Sequence, residues 1–344
     1  MKQSQLHKVI RVSHFERKPE LGAYSIERLF SDIRTMMPND IKVRSWVSSC
    51  ASRGLWRRLY NIVEAAFRQS DINHVTGDVH FLTYLLHRRR TILTIHDCGS
   101  LARLSGFRKW ILWLFWYWLP MRHAVAITVI SESTKQELLK HVTCNPDVIE
   151  VIHDCVSDCF HFGDKEFNAC CPRVLQVGTG ENKNLERVAA ALADIQCCWV
   201  IIGRLSEVQR NLIERYSIQY ENHIAISDEA LIEQYNAADL LVFVSTYEGF
   251  GLPIVEANVV GRPVITSNLY SMPEVAGDAA CLVDPYNVTC IRQGILRVIE
   301  DADYRGHLVR SGIKNARRFS ADVVAEQYSH LYRRIYAGQI ANCD

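Results

Sequence analysis

The chain has 344 residues, enough for two domains of the usual size, roughly 100–200 residues each. With 48% hydrophobic and 22% charged residues it carries enough apolar material for packed cores, which excludes a disordered chain. The net charge of +1 excludes a broadly basic nucleic-acid binder, but the charge is uneven. Residues 1–160 carry 22 Lys and Arg against 15 Asp and Glu, an excess of seven positive charges. The remainder has an excess of six acids, so the two halves suit different partners.

In chain order, short β-branched runs alternate with helical patterns. The first half predicts strands at 8–12, 41–47, 72–75, 91–95, 126–130 and 148–152. Helices are predicted between them at 24–34, 55–67, 81–86, 109–119 and 135–141. The second half predicts strands at 173–177, 198–202, 223–226, 240–244, 264–266 and 280–283, and a closing helix at 320–337. This rhythm is that of parallel sheets covered by helices, hence two doubly wound, Rossmann-like α/β domains. The aperiodic stretch 160–172, ending in Pro172, separates them. The expected division is 1–168, 169–318 and a terminal helix at 319–344.

The twelve cysteines show no zinc-site spacing, and the polar first 18 residues read as no signal peptide, so a cytoplasmic chain with cysteines as small core residues is expected. The aromatic run Trp110–Leu119 is about half the ~20 residues of a spanning helix. It reads either as a core helix or as an interfacial segment. The arginines at 53, 57, 58 and 88–90 read as a solvated face or as an anionic-lipid contact.

Ligands of open parallel sheets bind beyond the carboxyl ends of the strands, and with two sheets a cleft between domains is the natural site. After the strand at 240–244 comes STYEGFGLPIVEA, with Glu248 and Glu256 eight apart. Gly249 and Gly251 permit positive φ and close backbone approach, and Pro253 suits a first helical turn. The helix start around Phe250–Leu252 offers N–H groups to a phosphate, and Glu256 offers a carboxylate to a diol. After the strand at 173–177, QVGTGENKN places Lys183 in a Gly-rich loop, suited to a diphosphate; it is neither a P-loop nor a dinucleotide fingerprint. His96 and Asp97 directly follow the strand at 91–95, and Gly22 lies in a basic loop before the first helix. Each of these also has a structural reading: a capped helix, a loop lysine, a core histidine, a solvated loop.

Together these residues resemble a known family. YEGFGLPIVEA is similar to the donor-site signature of glycosyltransferase family 4, retaining enzymes of the GT-B fold. ILTIHD, ITVISESTKQEL, GTGENKNLE, IIGRLS and GRPVITSNLYSMPEVAGDAACLVDP resemble family segments in the same order, over nearly the whole chain. The nearest likeness is to bacterial mannosyltransferases of O-antigen and exopolysaccharide assembly. The resemblance implies two Rossmann-like domains facing a cleft, with the C-terminal helix crossing back to the N-terminal, acceptor-binding domain.

It further implies that Glu256 binds the ribose, while Glu248 with the backbone at Phe250–Leu252 holds the donor sugar, with Gly249 and Gly251 among the donor-binding residues. Lys183 would neutralise the leaving diphosphate, His96 would contact the sugar near the reacting carbon, and Ile226 and Ser227 would border the base. Gly22 would admit phosphates, and Gly178 would be a donor-binding residue. Gly178-Thr179 stands where many members carry an arginine, and Arg204 is the substitute at hand. His153-Asp154 stands where near members read Pro-Asn.

The implied reaction is retaining transfer of a hexose to a saccharide or lipid-linked acceptor. Mannose from GDP-mannose is the first expectation, with a UDP-sugar as the other donor. No metal and no cofactor are expected, nor any nucleic acid; an anionic membrane surface on the inner face of the cytoplasmic membrane is an expected partner. A scaffold subunit that has lost turnover and a nucleotide-sugar epimerase of the same fold are the competing readings.

Overall fold

The computed structural model describes residues 9–19 and 25–340. The chain divides into two compact units, one formed by 1–155 with 321–344 and the other by 156–320.

The first unit holds strands β1 (Ile10–Glu16), β2 (Ile41–Val47), β3 (Ile72–Val75), β4 (Thr91–Ile95), β5 (Ala126–Val129) and β6 (Ile149–Val151). They form one parallel sheet in the order β2-β1-β3-β4-β5-β6. β3, β4 and β5 are buried along their whole length, as a sheet covered on both faces requires. On one face Ile10, Val12, Ile72 and Ile92 pack against Phe30 and Ile33 of the helix Ser25–Thr35 and against Val324, Leu331 and Ile335 of the helix Ala321–Ile340. The other face packs Phe15, Leu93 and Ile127 against Ile62 and Ala65 of the helix Leu55–Ala66 and against Tyr117.

The second unit holds β7 (Arg173–Val177), β8 (Cys198–Ile202), β9 (Gln219–His223), β10 (Leu240–Phe243), β11 (Val264–Ser267) and β12 (Ala280–Val283). They too are parallel, in the order β12-β11-β10-β7-β8-β9. The doubly wound architecture expected from the alternating pattern is present in both units. The order reverses between β7 and β10 in the second sheet, and between β1 and β3 in the first. These switch points are where open α/β sheets bind ligands.

Three elements differ from expectation. β1 runs to Glu16 rather than ending at Val12, because its polar residues are satisfied inside. Ser13 Oγ donates to the Arg68 carbonyl, His14 meets the Tyr332 hydroxyl at 2.9 Å, and Glu16 pairs with Arg34. β9 is QYENH, upstream of the expected 223–226. It is an edge strand held by polar groups: Arg173 reaches across β8 to bond Glu221 at 2.7 and 2.9 Å, and Asn222 donates to the carbonyls of Ile201 and Gly203. The helix expected over 109–119 is three pieces: an α-helix Gly106–Leu112, a π-helical turn Trp113–Trp118, and a short helix Leu119–Arg122. Trp113, Trp116 and Trp118 pack half-buried against the core, while Phe107, Trp110, Ile111 and Phe115 are exposed.

Among the described residues no helix is long and apolar enough to cross a membrane.

Candidate functional site

The loops after β7 and β10 meet in the second unit, at the switch point of its sheet. Gly178 follows β7 with φ +92°, a conformation that favours glycine. A Cβ there would lie 2.7 Å from Lys183 Cε, so the missing side chain leaves the channel along which Lys183 lies. Lys183 Nζ donates to Glu248 Oε1 at 2.6 Å and sits 4.5 Å from the centre of the Phe243 ring. Both charged side chains stay partly exposed, at 20% and 15%. The Lys183 carbonyl accepts from Gln176, and the loop turns at Asn184, which is left-handed at φ 60°. Asn184 is buried and donates to the carbonyls of Val244 and Pro285, which repays the strained backbone.

The two loops are tied by Asn182. Its side chain donates to the Tyr247 carbonyl at 3.0 Å and to Glu248 Oε1 at 3.1 Å, and its own carbonyl accepts from Thr246 N. Ser271, fully buried, donates its hydroxyl toward the carbonyls of Glu248 and Phe250. Glu248 is thus braced from both sides. Phe250 is buried edge-on against Phe319, and Gly251 takes φ +105° to open the helix Leu252–Val259, with Pro253 in its first turn.

Glu256 is the fifth residue of that helix and is buried. Its Oε2 accepts from the Tyr235 hydroxyl at 2.5 Å. Tyr235 is itself fully buried, stacked edge-on against Phe160, and burial with the Glu256 charge holds its hydroxyl protonated well above the usual range. The carboxylate is therefore oriented by a neutral donor on the helix Asp228–Ala237.

The other expected residues are carried by other segments. Arg204 is exposed just after β8, and its carbonyl accepts from the Thr179 hydroxyl at 2.8 Å. Ser227 caps the helix Asp228–Ala237, its Oγ accepting from Ala230 N at 3.3 Å, with Ile226 half-buried before it. His96 belongs to the first unit, where its Nε2 lies 2.8 Å from the Thr76 carbonyl, beside that sheet's switch point. Gly22 lies outside the described residues. Asp154, near His96 and His153, is pushed up to about 6 by burial, the two histidines pulling the other way.

Tyr235, Ser271 and Asn182 were not expected as site residues. Only Asn182 had a signal, its place beside Lys183 in the Gly-rich loop. Among the described residues no group of three His, Cys, Asp or Glu is placed to hold a metal ion.

Two family models divide the chain. One, for Glycosyltransferase Family 4, matches residues 7–158, and the other, for Glycosyl transferases group 1, matches 163–317. The chain belongs to glycosyltransferase family 4. Its curated relatives include the O-antigen chain mannosyltransferase B of Escherichia coli, 41% identical over 135 residues, 38% of this chain and 35% of that one. The serotype-specific mannosyltransferase WbdA of Escherichia coli is 27% identical over 222 residues, 57% of this chain and 27% of that one. The chain thus matches about a third or less of these relatives' length.

Among solved structures, the fold is similar to that of the sucrose-phosphate synthase of Thermosynechococcus elongatus. The TM-score is 0.77 at 17% identity, over 96% of this chain and all of that one. It is also similar to Anabaena Alr3699/HepE in complex with UDP and glucose, with a TM-score of 0.74 at 15% identity, over 94% of this chain and all of that one. The family 4 chain has the GT-B fold.

Proposed function

We propose that this family 4 protein is a retaining hexosyltransferase of cell-surface polysaccharide synthesis. It moves mannose from GDP-mannose to a saccharide or lipid-linked saccharide. The observation that carries the reading is the Lys183–Glu248 pair, set by Gly178 at the sheet's switch point and followed by a glycine-capped helix with an oriented carboxylate at Glu256. The mannosyltransferase names of the curated relatives support the sugar, and the UDP-bound neighbour supports a nucleotide donor.

In this reading Glu256 binds the ribose hydroxyls, and Glu248 with the backbone at Gly249, Phe250, Gly251 and Leu252 holds the sugar hydroxyls. Ile226 and Ser227 border the base, Gly178 and Gly22 admit phosphate, and Arg204 adds positive charge. The bond from the anomeric carbon to the diphosphate oxygen breaks while the acceptor oxygen bonds to the same face of that carbon. The acceptor proton passes to the departing phosphate. Lys183 and the N–H groups at the start of the helix Leu252–Val259 stabilise the charge that grows on the diphosphate. His96 contacts the sugar near the reacting carbon. A lipid-linked acceptor places the protein on the inner face of the cytoplasmic membrane, bound through its basic first unit.

Titration with GDP-mannose, UDP-glucose and UDP-galactose side by side tests the donor. Preference for GDP-mannose, with mannose transferred in the α configuration to a saccharide acceptor, supports the proposal. A preferred UDP-sugar overturns the sugar assignment, and an epimerised product formed without acceptor overturns the transferase.

A further inference from the structure

The helix Leu55–Ala66 buries Asn61, Ile62 and Ala65 against the first unit and turns its other face outward. That outer face is apolar. Trp56 is 81% exposed and Phe67, at the helix end, 87%; Tyr60 and Val63 lie between them. The spacing 56, 60, 63, 67 is one stripe along a helix, about 16 Å long at 1.5 Å per residue. A soluble helix ordinarily shows polar residues there.

A second exposed apolar face lies on the helix Gly106–Leu112. Phe107 is 72% exposed and stacks on Trp110, with ring centres 5.8 Å apart. The helix Leu55–Ala66 lies beside the π-helical turn that continues the helix Gly106–Leu112: the Arg58 guanidinium is 4.9 Å from the Trp116 ring centre.

The charge along these segments is mostly positive, and the one acid of the helix Leu55–Ala66, Glu64, is paired with Arg68 at 2.9 Å. No Asp or Glu occurs from Ile41 to Val63, which carries Lys42, Arg44, Arg53, Arg57 and Arg58. None occurs from Leu104 to Ser131, which carries Arg108, Lys109 and Arg122. Exposed aromatic rings with interleaved arginines and few acids match a half-wet anionic boundary. A protein partner or a second copy would more commonly meet a rim of mixed charge.

We infer that the faces of Leu55–Ala66 and Gly106–Leu112 together form a lipid-insertion platform, seating Trp56, Phe67, Phe107 and Trp110 among the headgroups of an anionic bilayer. This deepens the membrane attachment proposed above and moves its anchor: the helix Leu55–Ala66 leads, and the tryptophans at 113, 116 and 118 serve the core. It does not depend on which sugar is transferred.

Sedimentation with vesicles of phosphatidylcholine and phosphatidylglycerol at 70:30 tests it, with W56S/F67S and with Y286S, an exposed aromatic of the second unit, as control. The wild type and Y286S are expected to bind, and to bind about tenfold or more weakly in 0.5 M salt. W56S/F67S is expected to lose about tenfold or more in partitioning while keeping its melting temperature and its nucleotide affinity. Unimpaired vesicle binding by W56S/F67S, or no binding by the wild type, overturns the platform. A wild-type dimer without lipid that W56S/F67S dissolves assigns the face to a second copy instead. Retained nucleotide binding in any of these cases leaves the transferase reading intact.

Discussion

Tyr235 and Glu256 come from different helices and share one hydrogen bond, 2.5 Å from hydroxyl to carboxylate, buried on both sides. A buried carboxylate costs stability unless something donates to it. Tyr235 does so without adding a charge, and so aims the Glu256 side chain.

Glu256→Ala is expected to weaken nucleotide binding by about 2–3 kcal/mol through lost charge-assisted hydrogen bonds, roughly 30- to 150-fold in affinity. Tyr235→Phe should weaken it less, since the carboxylate remains. Calorimetric titration of the nucleotide reads both. An unchanged dissociation constant in Glu256→Ala would sink the ribose assignment.

Lys183→Ala is expected to lower turnover by on the order of 100- to 1,000-fold with the fold intact, because its charge matters most as the diphosphate leaves. Gly178→Ala should harm both stability and turnover. The position has φ +92°, and the new methyl would press on Lys183, costing about 1–3 kcal/mol of strain. Normal kinetics in Lys183→Ala would shift the role to Arg204.

Transfer is expected to proceed in EDTA. The positive potential proposed for the leaving group comes from Lys183 and a helix start, and no DxD motif adjoins them. Assays with EDTA, and with magnesium or manganese added back, decide the point: activity lost to chelation and restored by the ion would refute it.

Acid should loosen the first unit. His14 and His74 both bond the Tyr332 hydroxyl of the helix Ala321–Ile340, at 2.9 and 2.7 Å, and His74 also meets Thr94 at 2.7 Å. Burial, with His96 adding, pushes His74 down to about 3. Burial, then His74 and Arg34, pushes His14 well below its usual range. The unfolded chain therefore takes up these protons first, below about pH 6.5, and stability falls as pH falls. Asp154 acts oppositely: raised to about 6, it favours the folded state more as pH drops toward its usual value. His80, also buried and lowered, acts in the same direction as His14 and His74, so the histidines outweigh the one carboxyl and stability falls on net from about pH 6 toward pH 4. Urea midpoints at pH 7 and pH 5 check this; equal midpoints would mean the histidines ionise in place.

Much of this was legible because fully buried parallel strands leave plain apolar runs. Thr91–Ile95 and Leu240–Phe243 are of that kind, and the loops after β7 and β10 could be located from them. The strand Gln219–His223 was not legible, since its edge position lets Tyr220, Glu221, Asn222 and His223 stand in a sheet on side-chain hydrogen bonds. Ser13 and His14 concealed half of β1 for the same reason. Tyr235 and Ser271 act through partners 21 to 23 residues away, a separation with no local pattern. The outward face of Leu55–Ala66 looked like an ordinary amphipathic helix, because periodicity gives the apolar stripe but not which side meets the core.

The helix Ala321–Ile340 packs on β1, β3 and the helix Ser25–Thr35, so the second unit is inserted between two parts of the first. During synthesis the second unit has all of its sequence once residue 320 has been made. The first must still wait for Val324, Tyr328, Leu331 and Tyr332 to cover Ile10 and Val12. The earlier-made sheet thus completes its core last, and it spends that interval with one apolar face only partly covered, by Phe30 and Ile33, the stage at which a chaperone would have most to hold.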